Sequence, residues 1–315
     1  MRQLLITDNE AGQRFDKFLI KYMNQAPKSF FYKMLRKKNI TLNGKKAEGS
    51  EMLAAGDEVK LFLSDETIDG FSNIVVQKAN TNINIIYEDN HIIVVNKPVG
   101  VLSQKAEKDD ISINEQIISY LIEKGEVDEQ SLRNFKPSVC NRLDRNTSGI
   151  ILAGKSLQGT QFLSSIIKDR SLSKYYLCIV SGRLEEKKLI RGYILKNEKT
   201  NKVEFYSKQV NDAVEIITEY EPMKLSSDYT LLRVKLITGR SHQIRVHLES
   251  IGHPILGDTK YSGNKRSNEF KLRNQLLHSN EIVFPMVEGP FEYLSRKQFI
   301  AEAPKEFSKV MDKIF

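Results

Sequence analysis

From residue 84 onward the chain is dense in strand-length apolar runs and sparse in helical ones, and this ordering constrains the fold more than any other feature. NIIYED and HIIVVNKP read as strands around a turn at Asp89-Asn90, ISINEQIISYLIEKG as a helix, GIILAGK as a strand and SLQGTQFLSSIIKDR as a helix. KYYLCIVSG, AVEIITEYEP and YTLLRVKLITG follow as strands, SHQIRVHLES as a helix and LLHSNEIVF as a strand again. Many strands are separated by few helices, without strict strand–helix–strand alternation. The expected fold class is therefore α+β, built on a mixed, mainly antiparallel sheet.

The first sixty residues are different in kind. Residues 11–46 hold ten Lys/Arg and one acid, Asp16, an excess larger than the net charge of +8 carried by all 315 residues. Phe15, Phe18, Leu19 and Tyr22 share one helical face, and Phe30, Phe31, Met34 and Leu35 share another, with Ser29 a candidate N-cap for the second helix. ITLNGKKA then gives a short strand with an Asn43-Gly44 turn, and EVKLFL alternates as a further strand. The pattern outlines a small module over 1–63, a linker over 64–83 rich in acids, Gly, Ser and Asn, and a large domain over 84–315. The module resembles the αL, S-four-type RNA-binding unit of ribosomal and tRNA-handling proteins. That resemblance makes Arg14, Lys17, Lys33, Arg36, Lys37, Lys38, Lys45 and Lys46 candidate RNA contacts; the bland alternative is a solvated basic face.

A sequence pI of about 9.2 favours polyanionic partners, nucleic acid or an anionic membrane surface. No apolar run is long enough to span a bilayer, and MRQLLITDNE reaches acids too early for a signal peptide, so a cytoplasmic protein is expected. Cys140 and Cys178 form no CxxC pair. GxxxxGK[ST], GxGxxG and HExxH are all missing, and Gly252 and Pro254 would separate His247 from His253. The expected chemistry uses no cofactor and no metal.

Two segments carry that chemistry. In CNRLDRNTSGI, Asp144 stands between Arg142 and Arg145 and precedes a turn opening into the apolar run Ile150-Ile151-Leu152-Ala153. A carboxylate at the mouth of a buried strand is held rigidly, although an aspartate capping a turn is the common reading. In LITGRSHQIRVHLESIGHPILGD, His242, Arg245 and Glu249 share a helical face. A guanidinium one turn into that helix could meet a carboxylate on a neighbouring strand and favour its charged form in a closed pocket. The alternative is a buried structural ion pair.

Together with three other segments these resemble the RluA-type family of pseudouridine synthases, in its branch with an N-terminal αL module. DNHIIVVNKPVGVLSQ, with Asn96-Lys97-Pro98 and Gly100, is similar to the family's first motif. RLDRNTSGIILAGK is similar to the second, whose aspartate corresponds to Asp144. KYYLCIVSG supplies a Lys-x-Tyr pattern at Lys174 and Tyr176, TGRSHQIRVHLESIGHPILGDTKY matches the third motif with its arginine at Arg245, and LLHSNEIVFP, with Leu277 and His278, matches a closing strand. The resemblance runs from about residue 84 to about residue 300, in the family's order. One position departs from it: Asn141 stands where the family usually has His before Arg-Leu-Asp.

The resemblance implies isomerisation of a flipped-out uridine to pseudouridine in RNA, with large-subunit ribosomal RNA as the expected partner and a monomer as the default state. Asp144, Tyr176 and Arg245 are the implied catalytic residues. Asp144 would attack sugar or base or help form a glycal, Arg245 would orient it, and Tyr176 would pack on the uracil and act as a base. Arg142, Asn141, Lys174, Lys97 and His242 are implied on the substrate side. Arg142 would fill the vacated stack or bind phosphate, and Lys174 would pair with a carboxylate or phosphate. Lys97 would shape the pocket wall, and His242 and His278 read as satisfied structural histidines. A tRNA-directed enzyme of the same family and a non-catalytic RNA-binding or ribosome-assembly factor are the alternatives.

Overall fold

In the computed structural model, which describes residues 1–72, 77–128, 131–197, 202–261 and 270–315, the basic segment folds around its apolar faces. β1 (Arg2–Leu5) leads to α1 (Phe15–Tyr22) and α2 (Lys28–Arg36), then to β2 (Ile40–Leu42), β3 (Lys45–Lys46) and β4 (Glu58–Leu61). The strands pair in the order β1-β4-β2-β3. Phe15, Phe18, Leu19 and Tyr22 of α1 and Phe31, Met34 and Leu35 of α2 are buried with Ile40, Val59 and Leu61. Asn43 and Gly44 both take positive φ, 51° and 71°, which suits the twist of a two-residue hairpin. Pro27, not Ser29, occupies the N-cap of α2; its φ of −67° presets the extended entry to the helix.

The expected linker is partly ordered onto this module. Residues Asp65–Gly70 form α3, whose first turn is capped by the Ser64 hydroxyl accepting from the Thr67 N–H at 3.2 Å. Ile68 is fully buried in the module core. A single isoleucine in SDETIDG leaves no periodicity to read, so only tertiary packing shows the helix. Residues 73–76 of the same expected linker lie outside the described residues.

The large domain runs β5 (Ile85–Glu88), β6 (Ile92–Lys97), α4 (Ile113–Glu123), α5 (Ser131–Asn134), β7 (Ser138–Val139), β8 (Ser148–Gly154), α6 (Leu157–Lys168) and β9 (Ser173–Ser181). It continues with β10 (Lys188–Asn197), β11 (Lys202–Tyr206), β12 (Val214–Leu225), β13 (Tyr229–Leu236), α7 (Gln243–Ser250), β14 (Leu277–Val283), β15 (Gln298–Ile300) and α8 (Lys305–Ile314). The sheet order is β11-β10-β12-β13-β9-β14-β8-β6-β5, with β15 on β14 and β7 on β8. Among the described residues β14 and β8 are parallel and the other pairs antiparallel, so the fold is α+β with a mixed, mainly antiparallel sheet. No helix among the described residues is long and apolar enough to cross a membrane.

Alternation along β6 and β8 divides the core. Ile93, Val95, Ile151 and Ala153 face α4 and α7, whereas Ile92, Val94, Ile150 and Leu152 face α6. β8 is buried at every position. A strand covered on both faces must be apolar throughout, which explains why the charged stretch around Asp144 opens straight into IILA. β14, matched in sequence to a closing strand, lies at the centre between β9 and β8.

That central position makes one glycine structural. Gly149 has φ 113°, and a Cβ built there would sit 2.2 Å from the carbonyl oxygen of Ser279 on β14. Neither side is a flexible side chain that could move away. Gly149→Ala should lower stability by about 2 kcal/mol or more, read from the urea midpoint. Gly100→Ala, at φ 87° but with open space around the new methyl, should cost only about 1 kcal/mol.

Candidate active site

The loop joining β7 to β8 is fastened along its length before it presents Asp144. Asn141 accepts from the Leu152 N–H at 2.7 Å and donates to the Ile150 carbonyl at 3.0 Å. The Ser103 hydroxyl donates to the Leu143 carbonyl at 2.8 Å and accepts from the Leu143 N–H at 2.9 Å. Fully buried Lys97 donates to the carbonyls of Pro98, Val101 and Arg145 at 3.0, 2.7 and 3.2 Å. Gln275 donates to the Thr147 hydroxyl at 3.2 Å. Burial pushes the Lys97 ammonium down to about 8, with nearby Asp144 acting in the opposite direction.

Two of the residues expected on the substrate side engage backbone groups here. Asn141, expected on the substrate side, instead takes the place of a neighbouring strand beside β8, its amide engaging one backbone donor and one backbone acceptor. Lys97 is a brace beneath the loop, as a wall-shaping role requires, and presents no exposed surface to a substrate.

Arg245 lies in the first turn of α7. Its Nε and one terminal nitrogen donate to Asp258 at 2.7 and 2.9 Å, and its other terminal nitrogen donates to Asp144 Oδ2 at 2.8 Å. Burial opposes the Arg245 charge, but the two carboxylates outweigh it and hold the guanidinium protonated above its ordinary value. Asp258 is almost wholly buried at 2% exposure, whereas the Asp144 side chain keeps 27% and opens to solvent. The arginine is thus anchored at one end and presents the other to a reachable carboxylate.

Tyr176 on β9 is buried beside this pair. Burial pushes its phenol up to about 12, with Ser279 pulling down and the Asp144 charge pushing further up. At neutral pH it is a phenol, able to pack and to donate. Tyr176, Ser279 and Gly149 occupy one register row across β9, β14 and β8.

His242 precedes α7 with a left-handed φ of 55°. Its Nδ1 lies 2.5 Å from Tyr261 Oη and its Nε2 4.0 Å from Asp144 Oδ1. Burial lowers its pKa, with Asp144 opposing and Arg245 and Lys260 adding to the lowering, so the ring is neutral at pH 7. His278 is a satisfied structural histidine, bonded to the Ser148 hydroxyl at 2.9 Å and the Ala301 carbonyl at 3.0 Å.

Lys174 is half-buried; burial and the nearby Arg170 charge lower its pKa, and no carboxylate pairs with it among the described residues. Arg142 is exposed at the rim of the loop, as are Arg14, Lys17, Lys33, Arg36, Lys37, Lys38, Lys45 and Lys46 on the N-terminal module. Sequence reading did not single out Asp258, Tyr261 or Ser279. Asp258 and Tyr261 stand in GDTKY, just beyond the end of α7, and the signal was an acid that could fold back on Arg245.

Comparison with known proteins identifies the family. The family described as RNA pseudouridylate synthase matches residues 91–250. The ribosomal large subunit pseudouridine synthase C of Escherichia coli is 31% identical over 89% of this chain and 87% of its own length. The ribosomal large subunit pseudouridine synthase D of Borreliella burgdorferi is 30% identical over 91% and 86%. Human RNA pseudouridylate synthase domain containing 4 shares the fold, with a TM-score of 0.59 over 73% of this chain and 92% of that one, at 19% identity.

The unequal burial of the two carboxylates has a measurable consequence. Arg245→Met removes the guanidinium that pairs with buried Asp258 and should destabilise the protein by about 3 kcal/mol or more in urea unfolding. Asp144→Asn, at the open end of the same arginine, should cost under about 1 kcal/mol.

Proposed function

The chain belongs to the RNA pseudouridylate synthase family, and from that premise we propose that it isomerises uridines of large-subunit ribosomal RNA with Asp144 as the nucleophile. The enzymatic activity, conversion of uridine to pseudouridine in RNA, comes with the family. The ribosomal target is inferred from the names of the relatives, and the nucleophile from one observation: a solvent-reachable carboxylate held at 2.8 Å by an arginine that a second, buried carboxylate fixes in place.

The reaction breaks the bond from N1 of uracil to C1′ of ribose and forms one from C5 to C1′. The proton on C5 leaves and N1 gains one, so no oxidant is required. Attack on C1′, attack on the base and removal of a proton from C2′ are three routes open to the same carboxylate. Arg245 holds Asp144 aimed. Tyr176 offers a ring face and a phenolic donor to the uracil. Flipping the nucleotide out of its stack costs a few kcal/mol. Phosphate contacts from Arg142 and the exposed cations of the N-terminal module, which we read as an S-four-type RNA-binding unit, offset that cost.

Asp144→Asn should abolish conversion: pseudouridine mapping of ribosomal RNA from cells carrying only the variant should lose the sites that the wild-type gene supports. Persistence of those sites would remove Asp144 from the nucleophile's role. Replacing Lys33, Arg36 and Lys37 by Gln should flatten the salt dependence of RNA binding by about 0.7 in log–log slope for each single-strand phosphate that is no longer neutralised. An unchanged slope would mean that these cations do not meet RNA.

A further inference from the structure

We propose that His242 and Asp144 together clasp the 2′-hydroxyl of the target uridine, making the pocket selective for a ribonucleotide at the reacting position. The inference rests on the pseudouridine synthase reading and names a substrate atom within it.

The two polar groups face each other across a gap. Asp144 Oδ2 is taken by Arg245, while Oδ1 looks toward His242 Nε2 at 4.0 Å. That separation is too long for a direct hydrogen bond, but one oxygen about 2.8 Å from each would fit between them. The tautomer follows from the other side of the ring. Tyr261 Oη accepts the backbone N–H of Val203 at 3.2 Å, so its own hydrogen is available to His242 Nδ1 at 2.5 Å. With Nδ1 accepting, a neutral imidazole carries its proton on Nε2. The gap is therefore bounded by an N–H donor on one side and a carboxylate acceptor on the other.

An occupant must accept and donate at once. The uracil carbonyls only accept, and its N3–H only donates. Within an RNA chain the 3′ and 5′ oxygens are esterified, which leaves the 2′-hydroxyl as the one group of an internal uridine that does both. It is attached next to C1′, the atom whose bond to the base is exchanged, so a clasp there also places C1′ and C2′ close to Asp144.

His242 has a left-handed φ of 55°, as do six other non-glycine residues among those described, and this sets the direction in which its ring leaves the chain. The groups around the ring are Asp144, Arg245, Asp258, Lys260 and Tyr261. Tyr261 is in turn positioned by its backbone N–H donating to Asp258 Oδ1 at 3.3 Å. The same buried carboxylate thus sets both the arginine and the tyrosine that orient the two halves of the clasp.

The test uses the full-length protein and two short RNAs spanning a uridine identified by the mapping above, one all-ribose and one with a 2′-deoxyuridine at the target. The measured quantity is the ratio of kcat/KM for the two RNAs, compared between wild type and His242→Ala, so that intrinsic differences in glycosidic reactivity divide out. His242→Ala should shrink the preference for ribose by roughly ten- to a hundredfold, the scale of a hydrogen bond within a charged pair. His242→Gln, whose amide N–H can enter the same gap, should restore part of it. If His242→Ala slows both RNAs by the same factor, the histidine is structural or holds only water, and the proposal fails. If the wild type converts neither RNA, the broader assignment fails first.

Discussion

One guanidinium joins the parts of this protein that its sequence keeps far apart. Arg245 and Asp144 are separated by 101 residues and meet at 2.8 Å, one on α7 and the other on the loop entering β8. Burying such a charge is unfavourable unless its donors are satisfied. Asp258 satisfies two of them from inside, which leaves the third aimed at the cleft. Because the inner pair is closed off from water and the outer carboxylate is not, the same arginine is anchored at one end and reachable from solvent at the other. The helix carrying it cannot shift without stranding Asp258, so the position of Asp144 is tied to the integrity of the core.

The sheet supplies the second half of the alignment. β14 runs parallel to β8 and antiparallel to β9, and it brings Gly149, Ser279 and Tyr176 into one row. The close approach at Gly149 allows the loop above it to reach over toward Tyr176. Lys97, Ser103 and Gln275 then fix that loop from outside it, and its own Asn141 ties it to β8, mostly through backbone groups. Side-chain braces of this kind replace the regular hydrogen bonding that an irregular loop lacks, and they hold the Asp144 carboxylate in place where strand pairing has ended.

Local periodicity was enough to place most helices and strands, because α1, α2, α4 and α6 each bury one face and β6 and β8 carry the apolar runs IIVV and IILA. It missed β10 and β11, whose sequences are heavily charged, and α8, whose two buried residues Phe307 and Val310 lie in a mostly polar stretch. It also missed α3, which rests on a single buried isoleucine. The meeting of Asp144 with Arg245 was legible from family resemblance and from helix geometry. The roles of Asn141 and Asp258 were not, since nothing local shows that an asparagine will bond a strand eleven residues on, or that an acid beyond α7 will turn back on it. The phenol of Tyr176 illustrates the same limit: its identity can be read from sequence, but the burial that keeps it protonated cannot.

Charge is distributed so that a polyanion can approach a pocket containing carboxylates. An RNA phosphate would be repelled by Asp144 and by Asp258 behind it, and Arg245 is already committed to both. The cations that can meet phosphate lie outside: Arg142 and Arg145 are exposed on either side of Asp144, and the eight candidate lysines and arginines of the N-terminal module are exposed as well. Phosphates are therefore favoured at the rim and disfavoured inside, while uracil and ribose, which carry no charge, meet no such penalty. A nucleotide that everts into the cleft can leave its phosphates with the outer cations and send only its neutral part inward. The same polarity disfavours free anions in the neighbourhood of Asp144, so that this carboxylate stays accessible to neutral groups.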